Sequence, residues 1–235
     1  MTVLVKACLN GNRAPGAHPA LPVTADQLAA DGAAAVVAGA QALHIHPRGP
    51  DGRESLAAVD EVVRAVKAAV AGIPVGVSTG AWMEPDVAAR AGAVRAWREP
   101  DFASVNLSEE GHVEVMAACA QAGVGIEAGL WRVEDVDALV ASGYAGLLVR
   151  ALIEPRGEDA AGSLVIAEAI NAALDAAGIG APRVQHGFGG PTWEVIRRAK
   201  ELGLGWRVGL EDVFELPDGS PAGSNAELVA AGVAL

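Results

Sequence analysis

The sequence predicts a single (β/α)₈ barrel domain that spans residues 1–235. Short apolar runs alternate eight times with longer segments of helical period, as in that fold. The apolar runs are nearly continuous, which is typical of parallel strands buried on both faces. Polar residues follow many of these runs, and a closed barrel gathers strand ends into one ring. A doubly wound open sheet shares the alternation, but no Gly-x-Gly-x-x-Gly follows the first run.

The elements are predicted from apolar period and from local start and stop signals. The first helix begins with a capping box, in which Thr24 and Gln27 satisfy each other's backbone donors. The predicted strands are Val3–Leu9, Ala42–His46, Pro74–Ser78, Phe102–Asn106, Gly125–Gly129, Gly146–Arg150, Arg183–His186 and Trp206–Gly209. The predicted helices are Ala25–Ala38, Leu56–Ala71, Asp86–Trp97, His112–Ala122, Val133–Ala141, Ala160–Ala176, Trp193–Leu202 and Asn225–Ala231.

The composition excludes several classes of function. The chain is 51% hydrophobic and has a net charge of −12, so nucleic acid and anionic membrane surfaces are poor partners. Its two cysteines, Cys8 and Cys119, form no disulfide framework or zinc finger. The first residues lack the pattern of a signal peptide. We therefore expect a cytoplasmic protein that acts on small molecules.

A pair of histidines ends the second predicted strand, in the segment Ala-Leu-His44-Ile-His46-Pro. Alternate residues of a strand share a face, so the two imidazoles lie side by side and suit a metal such as zinc. The alternative interpretation is that they are two unrelated polar residues at a strand end. A catalytic zinc site usually has three protein ligands. Glu211, just after the eighth strand, is the favoured third ligand, and His186 after the seventh is the competitor.

A glycine-rich turn follows the seventh predicted strand, in His-Gly187-Phe-Gly189-Gly190-Pro-Thr. Barrels often bind phosphate with the loops after strands seven and eight, and a helix N-terminus suits an anion. We therefore assign Gly187, Gly189 and Gly190 to a phosphate site for a cofactor, although a plain turn between a strand and a helix accounts for them equally well. Four loop arginines are further candidates to meet phosphates: Arg13, Arg48, Arg53 and Arg156.

Several of these segments together resemble the β-keto acid cleavage enzymes, a family whose named member is the 3-keto-5-aminohexanoate cleavage enzyme of lysine fermentation. The similarity covers nearly the whole chain. It is carried by Ala7-Cys-Leu-Asn-Gly11, His18-Pro-Ala-Leu-Pro-Val-Thr24, His44-Ile-His-Pro-Arg-Gly-Pro-Asp-Gly-Arg-Glu54 and Arg207-Val-Gly-Leu-Glu-Asp212. The His-x-His-x-Arg segment and the downstream Gly-Leu-Glu-Asp are specific in combination.

The resemblance implies a zinc-dependent barrel, assembled as a homo-oligomer, that condenses a β-keto acid with acetyl-CoA to give acetoacetate and a new acyl-CoA. It implies His44, His46 and Glu211 as the metal ligands. Asp212 corresponds to the base, Arg207 to a charge stabiliser and Glu127 to a carboxylate near the base. The implied substrate contacts are Ser78, Asn106 and Asn10.

Two features of the sequence bear on the alternatives. Trp82 and Met83 follow Ser78-Thr-Gly80 and make that rim bulky and apolar, which favours an uncharged or anionic β-keto acid over an aminated one. A zinc hydrolase or aldolase would use the same ligands without CoA. A non-catalytic barrel with a structural zinc usually closes its site with four ligands, and the sequence offers three convincing ones.

Overall fold

The computed structural model describes residues 3–235 and confirms the predicted (β/α)₈ barrel. Within these described residues, eight parallel strands pair in sequence order, and the sheet closes because the last strand pairs with the first. The strands are β1 (Val5–Cys8), β2 (Ala42–Ile45), β3 (Val75–Ser78), β4 (Phe102–Asn106), β5 (Gly125–Leu130), β6 (Leu148–Ile153), β7 (Arg183–Gln185) and β8 (Gly205–Val208). Each strand is mostly buried on both faces, as the continuous apolar runs predict.

In the described part of the chain, residues 3–235, eight α-helices surround the barrel and cover its outer face. They are α1 (Ala25–Val37), α2 (Val59–Ala69), α3 (Val87–Ala96), α4 (His112–Ala122), α5 (Glu134–Ser142), α6 (Ala160–Ala176), α7 (Thr192–Glu201) and α8 (Asn225–Ala234). The capping box at the start of α1 is present, with Gln27 and Thr24 bonded in both directions. Among residues 3–235, no helix has the length and apolarity needed to cross a membrane.

The sixth strand lies further along the chain than the sequence predicts. Ala145–Leu147 forms a 3₁₀ turn, and β6 extends to Ile153 through three further buried apolar residues. The predicted strand Gly146–Arg150 is therefore wrong at both ends, because an apolar run alone does not distinguish a short helical turn from a strand. Arg150 consequently lies within β6, and Glu154 takes the place of the polar residue at its C-terminal end.

The barrel interior contains charged residues beneath the ring of strand ends. Lys6 on β1 and Glu127 on β5 are fully buried and form an ion pair of 2.6 Å. Arg150 reaches the same carboxylate at 3.4 Å, and Ser104 donates a hydrogen bond of 2.6 Å to it. These interactions offset the cost of removing the charges from water.

Candidate metal centre and active site

Three side chains converge at the C-terminal end of the barrel. His44 comes from β2, His46 follows it, and Glu211 follows β8. The two imidazole Nε2 atoms are 3.1 Å apart, and Glu211 Oε2 lies 3.9 Å from His44 Nε2 and 3.7 Å from His46 Nε2. Strands β1, β2 and β8 are neighbours in the closed sheet, which brings residues 167 positions apart in sequence into this cluster. The alternative ligand His186 is not part of it.

The donor atoms of this cluster fit a divalent metal. Glu211 Oε2 is buried and accepts no hydrogen bond from the described residues. This carboxylate oxygen faces the two imidazole Nε2 atoms and is therefore free to bind a cation between them. Burial lowers the pKa of His44 well below its ordinary value despite the opposing pull of Glu211, so this imidazole is neutral. Burial opposes ionisation of Glu211, but the charge of Arg207 beside it outweighs burial and lowers its pKa to about 2. Neutral imidazole nitrogens and a carboxylate are ligands that zinc prefers.

Each imidazole is held through its other ring nitrogen. His46 Nδ1 lies 2.6 Å from Glu54 Oε2, which also accepts a hydrogen bond of 3.2 Å from the Trp82 indole. His44 Nδ1 lies 3.5 Å from Ser104 Oγ, which in turn donates to Glu127. Such contacts fix the tautomer and orientation of metal-binding histidines. They support Nε2 as the free ligand atom of both rings.

The segment after β1 positions the ligands from below. Asn10 is fully buried, accepts from the backbone N–H of His46 at 2.9 Å and donates to its carbonyl at 2.9 Å. Both the oxygen and the nitrogen of its amide thus hold the His46 backbone, and Asn10 does not line the cavity described below, so its contact with substrate stays a prediction. Gly11 has a φ of +55°, and a Cβ there would overlap the Glu211 side chain. Both the positive φ and the lack of room for a Cβ therefore require glycine at position 11.

Arg207 connects the carboxylate of Glu211 to that of Asp212. It lies within β8, is 2% exposed, and donates to Glu211 Oε1 and Asp212 Oδ1, each at 2.8 Å. Burial raises the pKa of Asp212 above its ordinary value, although Arg207 and His186 oppose the shift. Asp212 Oδ2 has no hydrogen-bond partner among residues 3–235. Arg207 stays charged, while Asp212 is a better proton acceptor than an exposed aspartate.

Two buried residues extend this network beyond what the sequence predicts. His186 follows β7, with Nδ1 3.5 Å from Asp212 Oδ1 and Nε2 3.1 Å from Glu154 Oε2. Burial opposes ionisation of Glu154, but His186 and Arg207 lower its pKa to about 2. A correct C-terminal boundary for β6 is the signal that would have identified Glu154, because the residue after each barrel strand faces the site.

Glu127 is fully buried on β5 inside the barrel. Its partners are Lys6, Ser104 and Arg150, and Asp212 is not among them. Burial opposes its ionisation, but the charges of Lys6 and Arg150 and the hydrogen bonds from Lys6 and Ser104 lower its pKa to about 2. Glu127 therefore connects to the site through Ser104 and His44, and a direct part in catalysis stays a prediction.

A cavity of about 570 Å³ opens above the cluster of His44, His46 and Glu211. Ser78 at the end of β3 and Asn106 at the end of β4 line it, as expected of substrate contacts, whereas Asp212 is buried behind its wall. The remaining lining residues are Asn12, Arg13, His44, His46, Trp82, Ser104, Trp131, Leu152, Glu154, Arg156, Phe188, Arg207 and Glu211.

The three glycines of the turn after β7 do not line this cavity, although Phe188 of the same turn does. Gly187 is buried, and the Gly189 N–H donates to the Asp212 carbonyl at 2.8 Å. Gly190 is exposed immediately before α7. The turn thus packs β7 against the loop after β8, and a phosphate role for its three glycines stays a prediction.

Solved structures match this barrel at low sequence identity, which shows a shared fold. ObcA in complex with oxaloacetate is 17% identical with a TM-score of 0.70, and ObcA with a C4-CoA adduct and oxalate is 16% identical with a TM-score of 0.69. Each match covers 90% of this chain but only 62% of the ObcA chain. A type I 3-dehydroquinate dehydratase from Clostridium difficile is 12% identical, with a TM-score of 0.62 and coverage of 99% and 91%.

No curated protein sequence matches the chain. A protein-family model described as beta-keto acid cleavage enzyme, in contrast, matches residues 2–235. The match includes every strand of the barrel, both histidines and the Glu211-Asp212 pair. This chain therefore belongs to the beta-keto acid cleavage enzyme family.

Proposed function

We propose that this protein condenses a β-keto acid with acetyl-CoA in a zinc-dependent reaction. Carbon 2 of the keto acid loses a proton to the base and bonds to the acetyl carbonyl carbon, and the carbon–sulfur bond of the thioester breaks to release the CoA thiolate. The thiolate then bonds to carbon 3 of the keto acid, and the bond between carbons 2 and 3 breaks. The acyl group leaves on CoA, and carbon 2 takes up a proton. The products are acetoacetate and a new acyl-CoA. The family membership and the metal cluster beneath the cavity support this proposal.

His44, His46 and Glu211 would hold the zinc ion, leaving a coordination position open to substrate. A zinc ion there would supply Lewis acidity that stabilises negative charge on the oxygens of the keto acid. The observation that carries this assignment is the buried Glu211 Oε2, which lies within 3.9 Å of both imidazole Nε2 atoms and accepts no hydrogen bond from residues 3–235.

Asp212 is our candidate for the base that removes the proton from carbon 2. Burial raises its pKa, and its Oδ2 is free of partners among the described residues. A base with a raised pKa is better matched to a weak carbon acid. Asp212 lies behind the cavity wall, so this role requires a local movement that opens Oδ2 to the substrate. Glu154 has direct access to the cavity but a pKa of about 2, which makes it the weaker base.

Arg207 is the candidate stabiliser of the charge that develops during attack on the thioester. Its guanidinium is buried, permanently charged and part of the cavity wall. A preorganised cation in a water-poor site stabilises a developing oxyanion more strongly than one in water. Ser78 and Asn106, which line the cavity, would contact the keto acid. Gly187, Gly189 and Gly190 lie outside its lining and would meet the phosphates of acetyl-CoA before the start of α7.

An acetyl-CoA-dependent screen tests this function. Protein supplied with zinc is incubated with a panel of β-keto acids, and acetoacetate is measured. We expect acetoacetate only when the metal, acetyl-CoA and a suitable keto acid are all present, and we expect a His46→Ala variant to lose it. Turnover of a keto acid without acetyl-CoA would instead indicate a hydrolase or an aldolase.

The family resemblance also supports a homo-oligomer, and closed symmetric assembly is the usual form. Light scattering coupled to size-exclusion chromatography tests this expectation. A mass of 23.7 kDa at micromolar concentration would contradict it.

A further inference from the structure

Three loops at the cavity mouth hold an arginine between aromatic rings. Arg156 follows β6, with its guanidinium carbon 4.4 Å from the Trp131 ring centroid and 4.0 Å from that of Phe188. Trp131 directly follows β5, and Phe188 belongs to the turn after β7. All three residues line the cavity. Stacking on aromatic rings orients a guanidinium group and leaves its N–H edge available to a planar anion.

The other cavity arginines already have acceptors. Arg207 donates to the Glu211 and Asp212 carboxylates, and Arg13 donates to the backbone carbonyls of the same two residues. Arg156 makes no hydrogen bond or ion pair within residues 3–235, and the Trp131 indole nitrogen likewise has no acceptor there. Arg156 thus has free N–H donors at one end of the cavity, where the Glu154 carboxylate is the charge that acts on it most strongly without pairing with it.

We propose that Arg156, held by Trp131 and Phe188, binds a second negatively charged group of the substrate, so that the preferred keto acid is a β-keto dicarboxylate. This inference rests on the proposed function. Its geometry is consistent with a short substrate, because Arg156 and Arg207 flank the same Phe188 ring at 4.0 and 5.6 Å from its centroid. A bidentate pair between guanidinium and carboxylate combines charge with planar geometry.

The phosphates of CoA are a different source of negative charge that Arg156 could meet. A long pantetheine arm separates those phosphates from the thioester. When the thioester lies at the metal cluster, the phosphates therefore extend beyond this cavity. This argument favours the distal carboxylate of the keto acid, and the two sources make different predictions for the affinity of each substrate.

The test compares two acids of equal chain length, 3-oxoadipate and 3-oxohexanoate. Their binding to the zinc-supplied protein is measured by calorimetry without acetyl-CoA, so that no acyl transfer occurs. We expect at least tenfold tighter binding of 3-oxoadipate, since charge-assisted hydrogen bonds contribute this much. Arg156→Gln should remove the preference and leave 3-oxohexanoate binding unchanged, and Arg156→Lys should restore part of it. Arg132→Gln is the matched control, because Arg132 lies beside Trp131 but outside the cavity.

Three outcomes overturn the proposal. In the first, the wild type binds both acids with equal affinity. In the second, Arg156→Gln lowers the affinity for both acids by the same factor. In the third, Arg156→Gln lowers only the affinity for acetyl-CoA, measured in a separate titration. The last outcome assigns the residue to phosphate instead. A binding preference that depends on Arg156, without turnover of any keto acid, would sustain this inference while refuting the proposed function.

Discussion

Replacement of Gly11 by alanine tests how the loop after β1 shapes the metal centre. An alanine Cβ at this position would lie 3.0 Å from Glu211 Cβ and 3.1 Å from its Cδ, and closer still to Cγ. Carbon atoms pack at about 3.5–4.0 Å, so the Glu211 side chain must move by roughly 0.5–1 Å. Metal–ligand distances tolerate about 0.2 Å. We therefore expect zinc affinity to fall by about 100-fold or more, the upper range for lost support of a ligand.

Gly16→Ala is the matched control for this substitution. Gly16 also has a positive φ, of +84°, but a Cβ there meets no atom within 4 Å. Both variants bear a backbone strain of about 1–2 kcal/mol, whereas only Gly11→Ala displaces Glu211. Competition with a chromophoric chelator measures zinc affinity, and thermal unfolding of the metal-free proteins measures the strain. The reasoning is refuted if Gly11→Ala binds zinc within twofold of Gly16→Ala.

Three further predictions concern buried carboxyl groups. Glu54→Ala should weaken zinc binding about 10–100-fold by releasing His46, and Glu54→Gln should weaken it less because it keeps an acceptor; equal affinity in chelator competition would contradict this role. Burial raises the pKa of Asp31 to about 6 from 3.8, against a lowering hydrogen bond from its neighbour on α8, so its ionisation destabilises the fold above pH 6. Asp31→Asn should therefore be more stable by about 2 kcal/mol at pH 8, and this gain should disappear as pH falls through 6 toward 4; a pH-independent difference in denaturant unfolding would count against it. Asp212→Asn should reduce kcat at least 100-fold with zinc affinity retained, whereas Glu154→Gln should reduce it less, and the reverse order would transfer the role of base to Glu154.

The sequence predicts the barrel and the meeting of His44, His46 and Glu211 because both depend on local pattern. Two histidines on one face of a strand, and a carboxylate after the last strand, need only the closure of the sheet to meet. The boundary of β6 could not be read in the same way. An apolar run starting at Gly146 fits a strand or a turn equally well, and tertiary pairing with β5 and β7 decides between them.

The sequence also does not predict the contacts that orient the side chains of the candidate metal site. Asn10 and Glu54 are separated from His46 by 36 and 8 positions, and neither residue type specifies a partner. The position of Glu127 deep in the barrel depends on ion pairing with Lys6 and Arg150, which no local pattern encodes. Likewise, the stack of Arg156 with Trp131 and Phe188 joins three loops whose relative placement follows only from the closed barrel.

The most direct test of the proposed reaction follows the carbon atoms of acetyl-CoA. Zinc-supplied protein is incubated with an accepted β-keto acid and acetyl-CoA labelled with ¹³C in both acetyl carbons, and the products are examined by ¹³C NMR. The proposed condensation places the label in carbons 3 and 4 of acetoacetate and leaves carbons 1 and 2 unlabelled. Acetoacetate without label, or label recovered only as acetate or unreacted acetyl-CoA while the keto acid is consumed, would contradict the account.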